Sequence, residues 1–182
     1  MPYLPNEIWL GIIEYCDPRE LWLSLRLTDR QLHECVERYF ARDVLLQISI
    51  SLPITLPTYD IRNPMHGKAI LRHCAKLESI AQDDLQSRRA WCSLLETVPG
   101  HYYEHFLVRW RAMREREGGL LSEKVRWDVQ VGNATLRMRL KDARVDASPG
   151  VEAEDAQLSF EWRPTVSRFF SMIHPGQVYW SW

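Results

Sequence analysis

The sequence has no apolar run approaching the ~20 residues that a membrane-spanning helix needs. It has no cysteine pair at the CxxC spacing of zinc sites, no glycine-rich phosphate loop and no serine in a nucleophile-elbow context. Spanning helices, zinc ribbons, P-loop nucleotide chemistry and the serine-hydrolase elbow are therefore not expected. Charge of one sign is lacking too: 23 basic residues balance 24 acidic ones to a net charge of −1. Without a broad cationic field, no nucleic acid partner is expected. The N-terminus lacks the basic start and small-residue cleavage site of a secretory signal, so no membrane association is expected and the compartment is cytoplasmic or nuclear. Internal repeats and low-complexity segments are absent. The four cysteines, Cys16, Cys35, Cys74 and Cys92, lie far apart, with Cys35 and Cys92 inside apolar helical patterns. Such residues read as buried thiols of a reducing compartment.

What is present is the material of a packed core. The 182 residues are 46% hydrophobic and 26% charged, ordinary globular usage, and suffice for a small module joined to a larger unit. Eight tryptophans are spread along the chain. Each must fill the core or mark a contact surface, because so large a ring carries much apolar area.

Leu4-Pro5 precedes a helix expected from Asn6, with Ile8, Ile12 and Cys16 as one stripe and Trp9 and Ile13 as a second. Asp17-Pro18-Arg19-Glu20 combines an N-cap, a proline at the first helical position and an acid three residues after the cap. The helix that follows carries Leu21, Trp22, Leu23, Leu25 and Leu27, apolar on nearly every side. Thr28 and Gln31 are read as the caps of a third helix running to about Leu45, where Leu32, Cys35, Val36, Tyr39 and Phe40 share a face. The first two helices have more apolar faces than three short helices can bury among themselves. Either the rest of the chain or a partner must cover them.

Beyond an alternating run at Gln47 to Leu52, the spacing of Pro53, Pro57 and Pro64 suggests a connector over 53–66. From Lys68 to Thr97 no proline or glycine intervenes, and Ile70, Cys74, Leu77, Ala81, Leu85, Cys92 and Leu95 fit one or two helices. Pro99-Gly100 ends that stretch. Tyr102, Tyr103, Phe106, Trp110 and Met113 then predict a helix to Gly118-Gly119, with Arg109, Arg111, Arg114 and Arg116 near its end, where cations suit the macrodipole.

Strand alternation is clearest at Val125, Trp127, Val129 and Val131 and at Ala134, Leu136, Met138 and Leu140, on either side of the turn pair Gly132-Asn133. The register sets Val131 against Ala134, Val129 against Leu136 and Trp127 against Met138, with Asp128 facing Arg137 on the other side. Arg126 would then face Arg139, with Glu161 on a neighbouring strand to relieve the like charges. Leu158, Phe160 and Trp162 mark that strand. Pro164 opens a helix whose Val166, Phe169, Phe170 and Ile173 can lie on the sheet, and the aromatic tail Val178 to Trp182 is suited to docking on the body.

Residues 4–27 resemble the F-box. That family opens with Leu-Pro-x-Glu-Ile/Leu, continues with Ile/Leu four residues on, and has Asp-Leu or Glu-Leu at its second helix. Leu4, Pro5, Glu7, Ile8, Ile12, Glu20 and Leu21 occupy those places. The region beyond is similar, more weakly, to the C-terminal region of fungal F-box proteins, on Arg109-Trp110, the Trp127 hairpin and Phe160-Glu161-Trp162-Arg163.

The resemblance implies a non-enzymatic adaptor that docks on the Skp-type protein of an SCF cullin-RING ubiquitin ligase and recruits an unknown protein substrate. It implies no cofactor and no metal. Leu4, Pro5, Ile8, Ile12, Leu21 and Leu25 are the candidate adaptor contacts. Cys16 stands where the family commonly has leucine, Asp29 where it has a basic residue and Gln31 where it has tryptophan, which implies weaker docking or another partner. The expected fold is α+β: an F-box-like helical module of three helices at 1–46, a strand and connector at 47–67, and at 68–182 a substrate-recognition domain. That domain would comprise a helical middle segment and a small antiparallel sheet packed with a terminal helix.

His101, Glu104 and His105 fit the H-x-x-E-H arrangement of zinc peptidases, with the histidines as ligands and the glutamate as base. A further acidic ligand would come from Glu123, Glu152 or Glu161. Pro99-Gly100 places the motif in the first, frayed turn of its helix, so an exposed helix start is the preferred reading.

Overall fold

In the computed structural model, Pro5 precedes helix α1 (Asn6–Ile13), and Gln31 ties that helix start down. The Gln31 side-chain amide donates to the Leu4 carbonyl and to Asn6 Oδ1, both at 2.7 Å. Residues 4–56, 65–73, 88–117, 125–146 and 157–174 are described. Helix α2 (Pro18–Leu23) starts as expected, with the Asp17 carboxylate accepting from the Arg19 and Glu20 N–H groups. A 3-10 turn (Leu25–Leu27) leads to α3 (Arg30–Tyr39), whose cap is Asp29, accepting from the Gln31 N–H at 2.6 Å. The expected cap Thr28 instead turns its hydroxyl back to the Leu25 carbonyl. A π-helical turn (Phe40–Val44) and a short α4 (Leu45–Gln47) carry the chain to the sheet. The wider turn shifts the helical phase, and Phe40, Val44, Leu45 and Ile48 are all buried.

The remainder differs from the sequence expectation in its middle. Strand β1 (Ser49–Leu56) starts in the strand expected at Gln47 to Leu52 and runs on into the expected connector, while β2 (Met65–His73) and β3 (Arg89–Val98) stand where the end of that connector and a helical segment were expected. Then come a 3-10 turn (Gly100–Tyr102), α5 (Tyr103–Glu117), β4 (Trp127–Val131), β5 (Ala134–Met138), β6 (Lys141–Asp146), β7 (Gln157–Glu161) and α6 (Trp162–Met172). The expected small sheet is one seven-stranded antiparallel sheet in the order β5-β4-β1-β2-β3-β7-β6. Its first and last strands are joined by Arg139 and Leu140 alone. Three consecutive Cα steps span at most about 11 Å, so the two edges must approach each other and the sheet curls.

Pro53 is compatible with β1 because β4 pairs only with Ser49 to Ser51. Beyond that point β1 has a sheet partner on one side, and a residue without an N–H is tolerated at such an edge. In β2 and β3 the inward residues Ala69, Leu71, Ala90 and Cys92 alternate, so Cys92 belongs to a strand rather than a helix. The β2–β3 register slips between Ile70 and Leu71, leaving Leu95 as the extra residue. This bulge turns Leu95 outward and brings Thr97 inward. Of the helical pattern proposed for this region, residues 74 to 87 lie outside the described residues, as does the tail from 175.

The β4–β5 hairpin follows its expected register residue for residue, including Asp128 opposite Arg137. Gly132 takes the positive φ, 57°, that the tight turn requires. The neighbour relation expected of β7 is different: it pairs with β3 and β6, so Glu161 faces Arg89 and Lys141 instead of relieving Arg126 and Arg139. Those two arginines are exposed, where water screens them. β6 carries its own bulge at Asp142, which has the left-handed φ of 48°. Arg89 fastens that residue through both its carboxylate and its carbonyl, and also donates to the fully buried Ser159 hydroxyl.

One continuous apolar cluster runs from Ile13 to Ile173 and joins the N-terminal helices to the sheet and α6. Trp22 is its hinge: its ring meets Phe40 and Trp162 at 4.6 and 5.5 Å, and its indole N–H donates to Ser167 Oγ at 2.8 Å. Arg19 Nε donates to the carbonyls of Phe170 and Ile173 at the end of α6, where helical carbonyls lack partners. Glu37, on α3, receives Arg163 of α6 at 2.7 Å and Arg26 at 3.3 Å. Both guanidinium groups also lie over indole rings, Arg26 on Trp22 and Arg163 on Trp162.

Candidate functional site

The apolar surface that the sequence left without a cover is divided between the two faces of α1. Its inward stripe ends at Ile13, fully buried, with Trp9 partly covered. Its outward stripe is Leu4, Ile8 and Ile12, four residues apart and 40%, 51% and 42% exposed. Ile8 and Ile12, at i and i+4, sit above one another on α1, with Leu4 in the segment just before the helix. Pro5 is exposed at the start of this strip and Tyr15 continues it, 92% exposed.

Past Ile12 the strip meets a groove of about 460 Å³ lined by Cys16, Asp17, Arg19, Glu20, Leu21, Ser24, Leu25 and Thr28. Cys16 joins the two, its Sγ donating to the Ile12 carbonyl at 3.4 Å. Leu21, an expected contact, is only 1% exposed: it is a core residue that also lines the groove. On its own side α2 meets α6 through Arg19 and Trp22. Leu25 is partly buried at the groove wall, while Leu27, not among the expected contacts, is strongly exposed.

Glu7, Glu14 and Glu20 are exposed on the same two helices and give the surroundings of the strip an acidic character. Arg19 is directed away to cap α6. Behind the strip the titratable groups are locked: burial pushes the Cys35 thiol and the Tyr39 hydroxyl above their ordinary pKa values. Burial likewise pulls the Arg26 guanidinium below its ordinary value, with Glu37 opposing the change. Among the described residues no disulfide joins Cys16, Cys35 and Cys92.

Sequence reading found Leu4, Pro5, Ile8 and Ile12 on this surface and missed Tyr15 and Leu27. Tyr15 follows Ile8 and Ile12 at helical spacing, a signal that could have found it. Glu37 was missed as well, since its partners Arg26 and Arg163 are brought together only by the fold.

The zinc arrangement assembles differently from its motif. His101 lies in the 3-10 turn and His105 in α5, both exposed, with the Tyr102 ring against each of them at 4.2 and 6.5 Å. Glu161 sits in β7 opposite Arg89, and Glu123 and Glu152 lie outside the described residues. Among the described residues no three His, Cys, Asp or Glu side chains form a group able to hold a metal ion. No described helix is long and apolar enough to cross a membrane. Comparison of the chain with family models, with curated proteins and with solved structures finds no match.

Proposed function

We propose that the chain is an F-box adaptor, which docks on a Skp-type protein through α1 and the adjoining groove and presents the curled sheet to a substrate of a cullin-RING ubiquitin ligase. The observation that carries this reading is the exposed apolar surface of Ile8 and Ile12, with Leu4 just before them, on a helix whose other side packs into the core through Ile13, Trp9 and Leu10. Soluble proteins keep large contiguous apolar surfaces mainly where something binds. The strip coincides with the Leu-Pro-x-Glu-Ile segment on which the family resemblance rests. Gln31, which departs from the family pattern, holds the start of α1 in place by two hydrogen bonds.

The test is binding of the purified chain to a Skp-type adaptor by calorimetry, for the native sequence and for Ile8→Asp with Ile12→Asp. Saturable one-to-one binding by the native chain, lost in the double variant at unchanged melting temperature, is expected. No binding by the native chain, or full binding by the variant, overturns the reading. Leu21→Asp is unsuitable, since a carboxylate placed in the core would unfold the protein whatever its partners.

A further inference from the structure

A second cavity lies on the other side of the molecule, where β1 loses β4. Among the described residues the pairing of Ser49, Ile50 and Ser51 with β4 does not continue beyond Ser51. Pro53 has no N–H with which to continue it. The two chains separate there, and α5 lies across the opening. The result is a groove of about 520 Å³ lined by Leu52, Pro53, Ile54, Thr55, Phe106, Arg109, Ala112, Met113 and Val125. Its size falls within the range of small-molecule pockets, about 300–1,000 Å³, and its walls have their composition: apolar side chains with few polar groups.

Among the described lining residues Arg109 is the one cation. Nη1 donates to the Thr55 carbonyl at 3.0 Å. That bond fixes the guanidinium at the mouth of the groove and uses one of its five N–H donors. Among the described residues no carboxylate pairs with it. A guanidinium with no carboxylate partner among the described residues, beside an apolar cavity, is complementary to a molecule with an anionic head and an apolar body.

We propose that this groove binds a small amphipathic carboxylate, the apolar chain lying between β1 and α5 and the carboxylate on Arg109. Arg109 sets the preference for an anion, and Ile54, Phe106 and Met113 supply the apolar contact. This site is separate from the α1 strip and does not depend on the adaptor reading.

The experiment titrates the full chain with decanoate, and with decanol as the uncharged control, by calorimetry. Native protein is expected to bind decanoate at one site, more tightly than decanol. Arg109→Gln should weaken decanoate by about tenfold, the scale of a lost charge-assisted hydrogen bond, and leave decanol unchanged. Arg109→Lys should retain most of the preference. Ala112→Trp, which fills the groove from α5, should abolish binding of both, with the melting curve reporting that the variant is folded. Absence of saturable decanoate binding by the native chain overturns the proposal. So does an Arg109→Gln variant that binds decanoate as the native protein does, or a folded Ala112→Trp variant that still binds.

Discussion

Helices α1 and α2 are adjacent in the chain and both rich in apolar residues, yet they have opposite fates. In α2, Leu21 and Trp22 are both buried, Trp22 against Phe40 and Trp162, and even the polar residue Arg19 is drawn into capping α6. In α1, one stripe is sealed and its neighbour one residue away is open: Ile13 is fully buried, Ile12 is 42% exposed. Apolar content alone therefore does not say which surface is core and which is interface. The difference is set by α6, which reaches α2 from the far end of the chain and leaves the outer side of α1 uncovered.

That contrast can be broken most severely at Trp22. Trp22→Ala removes the ring shared with Phe40 and Trp162 and strands the Ser167 hydroxyl, and should cost about 3–5 kcal/mol. Thermal unfolding should register this as a fall of roughly 10 °C or more. Glu37→Ala attacks the same junction through charge. It leaves Arg26 and Arg163 without their shared carboxylate, and breaking such a buried pair costs about 3 kcal/mol, to be read from urea midpoints.

A finer test compares neighbours on α1. Ile13→Ala should destabilise by about 2–4 kcal/mol, whereas Ile12→Ala should stay within about 0.5 kcal/mol, as exposed substitutions do. Equal losses at the two positions in denaturant unfolding would show that the outer stripe is part of the core after all.

The smallest effect lies far from both helices and serves as their control. Burial raises the pKa of Asp142, but hydrogen bonds from Arg89 and Arg144 outweigh it and hold the carboxyl below the ordinary 3.8. A depressed folded pKa contributes stability that is complete above the unfolded value and lost as pH falls through the folded one. The melting-temperature gap between the native chain and Asp142→Asn should be constant above about pH 5 and close below about pH 4. The Ile12→Ala difference should show no such dependence.

Legibility varied with how local the determining forces are. The hairpin was readable to the register because Gly132-Asn133 fixes the turn and alternation fixes the face. The Asp17 cap was readable for the same reason, since its partners are two and three residues away. Over 68–97 the spacing of Ile70, Cys92 and Leu95 imitated a helix, because the bulge at Leu95 breaks the period of two that marks a strand. β6 was missed outright: the bulge at Asp142 leaves only Ala143 and Val145 in step, too few to register as alternation. Of the site, the outer stripe of α1 could be read from helical spacing. The burial of Leu21 could not, because α2 is apolar on nearly every side and its own pattern does not say which side is covered.

The sequence by itself determined the helix starts at Asn6 and Asp17, the helix at Tyr103, the hairpin and the terminal helix, all of which rest on contacts within a few residues. Only the tertiary structure decided that β7 lies between β3 and β6 and that the sheet curls. It also decided that Glu37 gathers arginines from two distant segments and that Leu21 is core while Ile8 and Ile12 are surface. The physical reason is that burial and strand order belong to pairs of segments, and a pattern within one segment carries no information about which partner will cover it.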